Sequence, residues 1–202
     1  MCDIQASSFC PSRKSHAMRI AVHLQSHAVA MLAAITAITS IGNAFAAEPT
    51  IQAPNVVPVS ARIVTSGQPN AIALAGLAVQ GFAAVIYLAP PTVPDAVPGE
   101  ADIVRAQGLE FINIPIKFGD PTEADFQAFV AAMERLGERK VLVHCQVNMR
   151  ASSMTFLYRV IIGREKPEQA YESVARVWSP KGPWKRLIAA QLKKAGIAFE
   201  PY

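Results

Sequence analysis

The chain has 202 residues, with 19 Lys and Arg against 15 Asp and Glu, and a net charge of +4 with histidine neutral. Three of those basic residues and one acidic residue fall before position 47, so residues 47–202 carry only +2. A surplus that small gives no argument for nucleic-acid or membrane binding, and Cys145, the only cysteine beyond position 46, has no partner for an internal disulfide.

Met18-Arg19 begins a short basic stretch, Ala28–Ile41 is an apolar run, and Ala44-Phe45-Ala46 is a small-x-small cleavage sequence. This is the pattern of a secretory signal peptide, and its apolar run is shorter than the roughly 20 residues of a membrane span. The pattern predicts a leader over 1–46, removed after Ala46, with 1–17 an extension ahead of a true start at Met18. It predicts an exported, periplasmic protein with no stable membrane insertion once processed.

Residues 47–60 are Pro-interrupted and read as an extended linker, and 61–202 as one domain with a sizeable core. Ala61–Thr65 reads as a short strand. Ser66-Gly67-Gln68-Pro69-Asn70 is a turn in which Asn70 caps a helix running to about Gln80, stopped by Gly81. Phe82–Leu88 is a buried strand, rich in Val, Ile and Tyr. Ala89–Gly99 is a Pro-rich loop, and a short helix follows from about Glu100 to Ala106. Glu110–Ile116 reads as a strand and Lys117–Pro121 as a loop. Thr122 caps a long helix with Phe126, Phe129, Val130, Met133 and Leu136 at helical spacing. A strand at Val141 follows, then a helix opened by Arg150, then helices over about Pro167–Val177 and Trp184–Lys194. Alternation of this kind predicts an α/β fold: a central, mostly parallel sheet of about four strands flanked by helices, with its site at the carboxyl ends of the strands.

The most informative stretch is Val141-Leu-Val-His-Cys-Gln-Val-Asn-Met-Arg-Ala-Ser152. It sets a cysteine between the end of a strand and the start of a helix, where backbone N–H groups and the helix dipole favour negative charge. A cysteine so placed is expected to be a nucleophilic thiolate. The N–H groups of Gln146, Val147, Asn148, Met149 and Arg150 would cradle an oxyanion beside it, and the Arg150 guanidinium would clamp that anion with two parallel hydrogen bonds. Together they point to an enzyme acting on a phosphoryl group or a similar tetrahedral anion. His144 is the only histidine beyond position 46, so a zinc site of His and Cys lacks ligands. Its side chain, opposite in face to that of Cys145, is expected in the core or bonded to the loop backbone. No cofactor is called for.

These residues resemble the cysteine-dependent protein tyrosine phosphatase superfamily, in its small, dual-specificity-like bacterial branch. The resemblance rests on His144-Cys145 after a hydrophobic strand, Arg150 closing the loop, and Ser152 just inside the next helix. Thr65-Ser66-Gly67-Gln68-Pro69 and Ile114-Pro115-Ile116, ahead of an acidic loop, add to it. The superfamily pattern is Cys-x5-Arg, often with Gly third in the loop. This chain has Cys-x4-Arg, with Asn148 at that place, a residue that tolerates a left-handed backbone. The shorter spacing also resembles the loop of rhodanese-type sulfurtransferases, which would carry a persulfide on Cys145. A third class is an anion-binding module without catalysis.

The phosphatase resemblance implies a cysteinyl-phosphate intermediate on Cys145, with Arg150 and the amides of Gln146 to Arg150 holding the phosphoryl oxygens. A carboxylic acid on a neighbouring loop would protonate the leaving group. Asp120, after the Ile114 strand, is the first candidate, and Asp125 the second. Ser152 would hydrogen-bond the sulfur or bond back into its own helix. The two tryptophans, Trp178 and Trp184, pack the last helix on the core or wall the pocket. The implied partner is a phosphorylated small molecule or phosphoprotein; oligomeric state is not legible.

Overall fold

Three strands buried at every position, and a fourth half-buried at the rim, run side by side in one direction. That shared direction brings their carboxyl ends to one edge. They are β2 (Ile63–Ser66), β3 (Ala84–Tyr87), β4 (Glu110–Asn113) and β5 (Val141–His144). The computed structural model describes residues 51–202; the expected leader and its cleavage site lie outside them. With β1 (Val57–Pro58) they form a five-stranded sheet in the order β1-β2-β5-β3-β4. Only β1 is antiparallel. The sheet is thus mostly parallel, as expected, with one short edge strand more than the alternation predicts. Part of the 47–60 segment belongs to the sheet and its core: Ile51 and Val57 are buried against the domain.

Side chains alternate across the sheet. Val64, Val85 and Leu142 face Leu74 of α1 (Ala71–Ala75) and Val104 of α2 (Glu100–Arg105). Ile63, Ala84, Ile86, Val141, Val143 and Cys145 belong to the larger core on the other face. There they meet α3 (Glu123–Leu136), α4 (Met149–Ile161), α5 (Pro167–Ala175) and α6 (Gly182–Lys194). None of the described helices is long and apolar enough to cross a membrane.

The helix expected over 70–80 is shorter than its pattern. Asn70 caps it, accepting from the Ala73 N–H at 2.8 Å, but it stops after one turn and a half. A 3-10 turn at Ala78–Gln80 follows. The break is filled from elsewhere: Gln107 donates to the Leu74 carbonyl at 2.8 Å and accepts from the Ala78 N–H at 3.1 Å. α3 keeps its predicted start, with Thr122 and Asp125 capping each other reciprocally.

Candidate active site

Register fixes the site. Ser66, Tyr87 and His144 stand abreast at the ends of β2, β3 and β5, so the loops that follow them share one rim. The loop after β5 runs from Cys145 to the start of α4 at Met149. Cys145 is fully buried at its floor, its N–H donating to the Ser66 carbonyl at 3.2 Å. The loop from β2 braces the opposite side. There the Gln68 N–H donates to the Gln146 carbonyl at 3.0 Å, and Gly67 bridges to Val147.

Asn148 turns the chain into α4 with φ at 71°, the left-handed conformation that Asn tolerates better than most residues. Its side-chain amide donates to the Asn55 carbonyl at 2.6 Å and to the Thr65 hydroxyl at 3.0 Å. The buried turn is therefore fixed by the segment ahead of β1 and by β2 itself.

Arg150 is 4% exposed. Its Nε donates to the Ile116 carbonyl at 3.1 Å and its Nη1 to Oε1 of Gln146 at 3.4 Å, while the guanidinium lies 5.1 Å from the centre of the Phe118 ring. No carboxylate pairs with it among the described residues. The N–H groups of Gln146, Val147, Met149 and Arg150 likewise have no acceptor among the described residues. Free amides at the N-terminus of the 13-residue α4, beside a buried guanidinium with no carboxylate, make an arrangement able to hold an anion.

Phe118, on the loop after β4, is held from behind. Its carbonyl accepts from Nε1 of the buried Trp184 at 2.8 Å, and its ring is 5.9 Å from those of both Trp178 and Trp184. Trp184 thus belongs to the core, as expected, and also props the aromatic ring that stacks on Arg150.

Of the other anticipated residues, Val147 is exposed and its carbonyl accepts from Asn55 at 3.0 Å. Met149 is half-buried, and its carbonyl accepts from the hydroxyls of Ser152 at 3.2 Å and Ser153 at 2.8 Å. Ser152 therefore bonds back into its own helix. Asp125 accepts from the N–H and the hydroxyl of Thr122, both at 2.8 Å, which occupies it as a helix cap. Asp120 is exposed on the turn after β4; its N–H donates to the Lys117 carbonyl at 3.1 Å, and its carboxylate has no hydrogen bond among the described residues.

His144 lies in the core, as expected, but its ring does not bond the loop backbone. It is fully buried, stacked on Tyr87 with centroids 4.8 Å apart, and its Nε2 lies 2.7 Å from Oε1 of Glu100. That is a contact by distance rather than an aligned hydrogen bond. Glu100 is itself buried, and its second oxygen accepts from Gln68 at 2.8 Å. The sequence pattern misses this carboxylate because it opens an ordinary short helix.

A second unanticipated carboxylate is Asp95, on the Pro-rich loop after β3, which accepts from Nε2 of Gln146 at 2.7 Å. Burial pushes the Tyr87 phenol above its ordinary value, and the charges of Glu100 and Asp95 push the same way.

A family model, described as DSP-PTPase phosphatase fused to NAD+ Kinase, matches residues 37–186. The beta-lactamase hydrolase-like protein of Xylella fastidiosa (strain Temecula1) is 35% identical over 117 residues, which are 56% of this chain and 27% of that protein. The chain thus spans about a quarter of that relative's length. Among solved structures, a DUF442 protein of Shewanella putrefaciens CN-32, described as a candidate phosphatase, is 28% identical with a TM-score of 0.65, covering 71% of this chain and 95% of that one. The core catalytic domain of a yeast (S. cerevisiae) PP-IP phosphatase is 14% identical with a TM-score of 0.57, covering 71% of this chain and 87% of that one, a likeness of fold alone.

Proposed function

We propose, from the premise that this chain belongs to the phosphatase family described as DSP-PTPase phosphatase fused to NAD+ Kinase, that it hydrolyses a phosphate monoester through a cysteinyl-phosphate. The Cys145 sulfur attacks phosphorus in line. Arg150 and the free amides of the loop hold the three equatorial oxygens, where charge spreads in the transition state. A carboxylic acid at the rim protonates the leaving oxygen, and water then cleaves the sulfur–phosphorus bond. Asp120 is the candidate acid from sequence. The substrate is a phosphorylated small molecule or phosphoprotein met outside the cytoplasm, if the 1–46 leader directs export as its pattern predicts.

The observation that supports this reading best is the set of amides at Gln146, Val147, Met149 and Arg150 without acceptors among the described residues, next to a buried guanidinium that no carboxylate among them neutralises. An inert structural cysteine needs neither. Cys145 itself is fully buried at the base of the loop, against the larger core.

The test is turnover of para-nitrophenyl phosphate by purified residues 47–202 and by the Cys145→Ser variant. Phosphate release by the wild type that vanadate blocks and Cys145→Ser abolishes is the expected result. Equal rates in the two proteins would remove the nucleophile assignment. Thiocyanate formed from thiosulfate and cyanide, with no phosphate release, would instead make the protein a sulfurtransferase. Intact mass of the exported protein checks the leader: a first residue of Ala47 is expected.

A further inference from the structure

We infer that Asp95, on the loop between β3 and α2, is the general acid and base of the reaction proposed above, an inference that rests on the phosphatase reading. Gln146 is the residue next to the nucleophile, and its side-chain amide is fixed at both ends. Oε1 accepts from Nη1 of Arg150 at 3.4 Å, so Nε2 is the end that donates, and Oδ1 of Asp95 receives it at 2.7 Å. One carboxylate is thereby tied to the residue that follows Cys145, one side chain away from the guanidinium that would bind the phosphoryl oxygens. It is exposed, so a proton can be exchanged with solvent between turnovers.

The other carboxylates on this edge of the sheet are placed for other tasks. Glu100 is buried between Gln68 and His144. Asp125 caps α3 through Thr122. Asp120 is free in solvent: the Ile116 carbonyl and the Phe118 ring of the same loop reach Arg150, but the Asp120 carboxylate itself has no hydrogen bond to the cysteine loop among the described residues. Asp95 alone among them is connected to the loop that holds the nucleophile.

The chemistry balances without a co-reactant. In the first step the sulfur–phosphorus bond forms as the bond from phosphorus to the leaving oxygen breaks, and the Asp95 proton passes to that oxygen, releasing an alcohol. In the second, water attacks phosphorus and gives a proton to the Asp95 carboxylate. The sulfur–phosphorus bond breaks with its electron pair returning to sulfur, and inorganic phosphate leaves. Asp95 ends as it began.

Asp95→Asn is the discriminating variant, because the Asn carbonyl still accepts from Gln146 while the proton is lost. Wild type, Asp95→Asn and Asp120→Asn are compared on para-nitrophenyl phosphate, whose leaving group needs little protonation, and on phenyl phosphate, whose leaving group needs it. The expected result is a loss of about 100-fold or more in kcat/KM, which reads only the step in which the leaving group departs, for Asp95→Asn on phenyl phosphate, with less than about tenfold on the nitrophenyl ester. Asp120→Asn, the competing assignment, should lose no more on phenyl phosphate than on the nitrophenyl ester. Equal losses on the two esters by Asp95→Asn would make the residue a mere positioner and overturn the inference, as would wild-type rates in that variant or a leaving-group-dependent loss in Asp120→Asn. A wild type that hydrolyses neither ester removes the phosphatase reading itself, and this inference with it.

Discussion

A β-carbon on Gly67 would stand 2.7 Å from the carbonyl oxygen of Gln146. It would also meet Pro54 at 2.9 Å on the other side, so neither neighbour offers a flexible side chain to move aside. The contact is close because the β2 loop and the cysteine loop are zipped together by the Gln68 to Gln146 hydrogen bond of 3.0 Å. Gly67→Ala is therefore expected to push the two loops apart, costing about 1–3 kcal/mol by overpacking. Urea denaturation should show that loss, and turnover of an aryl phosphate should fall with it, because the displaced carbonyl belongs to the residue next to Cys145. A variant as stable and active as wild type would mean that the loops are not coupled here.

Arg150 is not replaceable by lysine. The guanidinium spends Nε on the Ile116 carbonyl, sits 5.1 Å from the centre of the Phe118 ring and reaches Gln146 with Nη1, so several contacts fix its position. An ammonium retains the charge but neither the fork nor the plane. Arg150→Lys should lower kcat for an aryl phosphate by about 100-fold, the scale of losing a preorganised oxyanion donor. Steady-state kinetics on the folded variant checks this. A loss confined to KM would mean that Arg150 binds the substrate and its transition state equally.

Glu100 joins three parts of the site from beneath. Its two oxygens meet Gln68 of the β2 loop at 2.8 Å and His144 of β5 at 2.7 Å, and the carboxylate itself opens α2. Glu100→Ala takes the carboxylate acceptor from the half-buried Gln68 and the close contact from the buried His144, and should cost about 2 kcal/mol. The chemical-denaturation midpoint reads it. Glu100→Gln, which keeps an acceptor for Gln68, should recover part of the loss; equal damage from both would show that shape, not hydrogen bonding, is what matters at this position.

The fold was legible where local pattern and tertiary packing agree. Thr122 and Asp125 announce α3, and the apolar spacing from Phe126 to Leu136 holds because one face of that helix is buried. The β-rich run at Phe82–Leu88 contains β3, and the strand before Cys145 lies where the cysteine motif requires it. Where a partner from far along the chain decides, the pattern failed. Gln107 ends α1 early from 33 residues away, a contact that no window around Gly76 contains. The prolines of 47–60 suggested a linker, yet β1 needs few backbone donors at the sheet edge, where proline is tolerated.

The site divides along the same line. Cys145, Arg150 and Asn148 sit within one short loop, so their chemistry can be read from spacing. Asp95 and Glu100 reach the site only because β3 and β5 are neighbours in space, separated in sequence by the whole of α2, β4 and α3. Phe118 is similar: it reads as a loop residue until Trp184, 66 positions later, fixes its carbonyl.

The ion pair between Glu123 and Lys194 ties the first turn of α3 to the last turn of α6. Hydrogen bonding to Lys194 is the main cause that holds the Glu123 carboxyl below its ordinary value of 4.5. A carboxyl depressed in the folded state binds fewer protons there than in the unfolded chain, so its contribution to stability is present above that ordinary value and fades as the pH falls through the folded one. Both side chains are solvent-exposed, so the contribution is small and screened by salt. Glu123→Gln should therefore lower the urea midpoint slightly at pH 7 in low salt. The gap should narrow in high salt and close in acid, well below the ordinary carboxyl value. A gap that persisted in acid would have to come from something other than charge. The nearest alternative is the 3.0 Å hydrogen bond from Gln127 to the same carboxylate, which the glutamine variant can still accept and which therefore should not produce one.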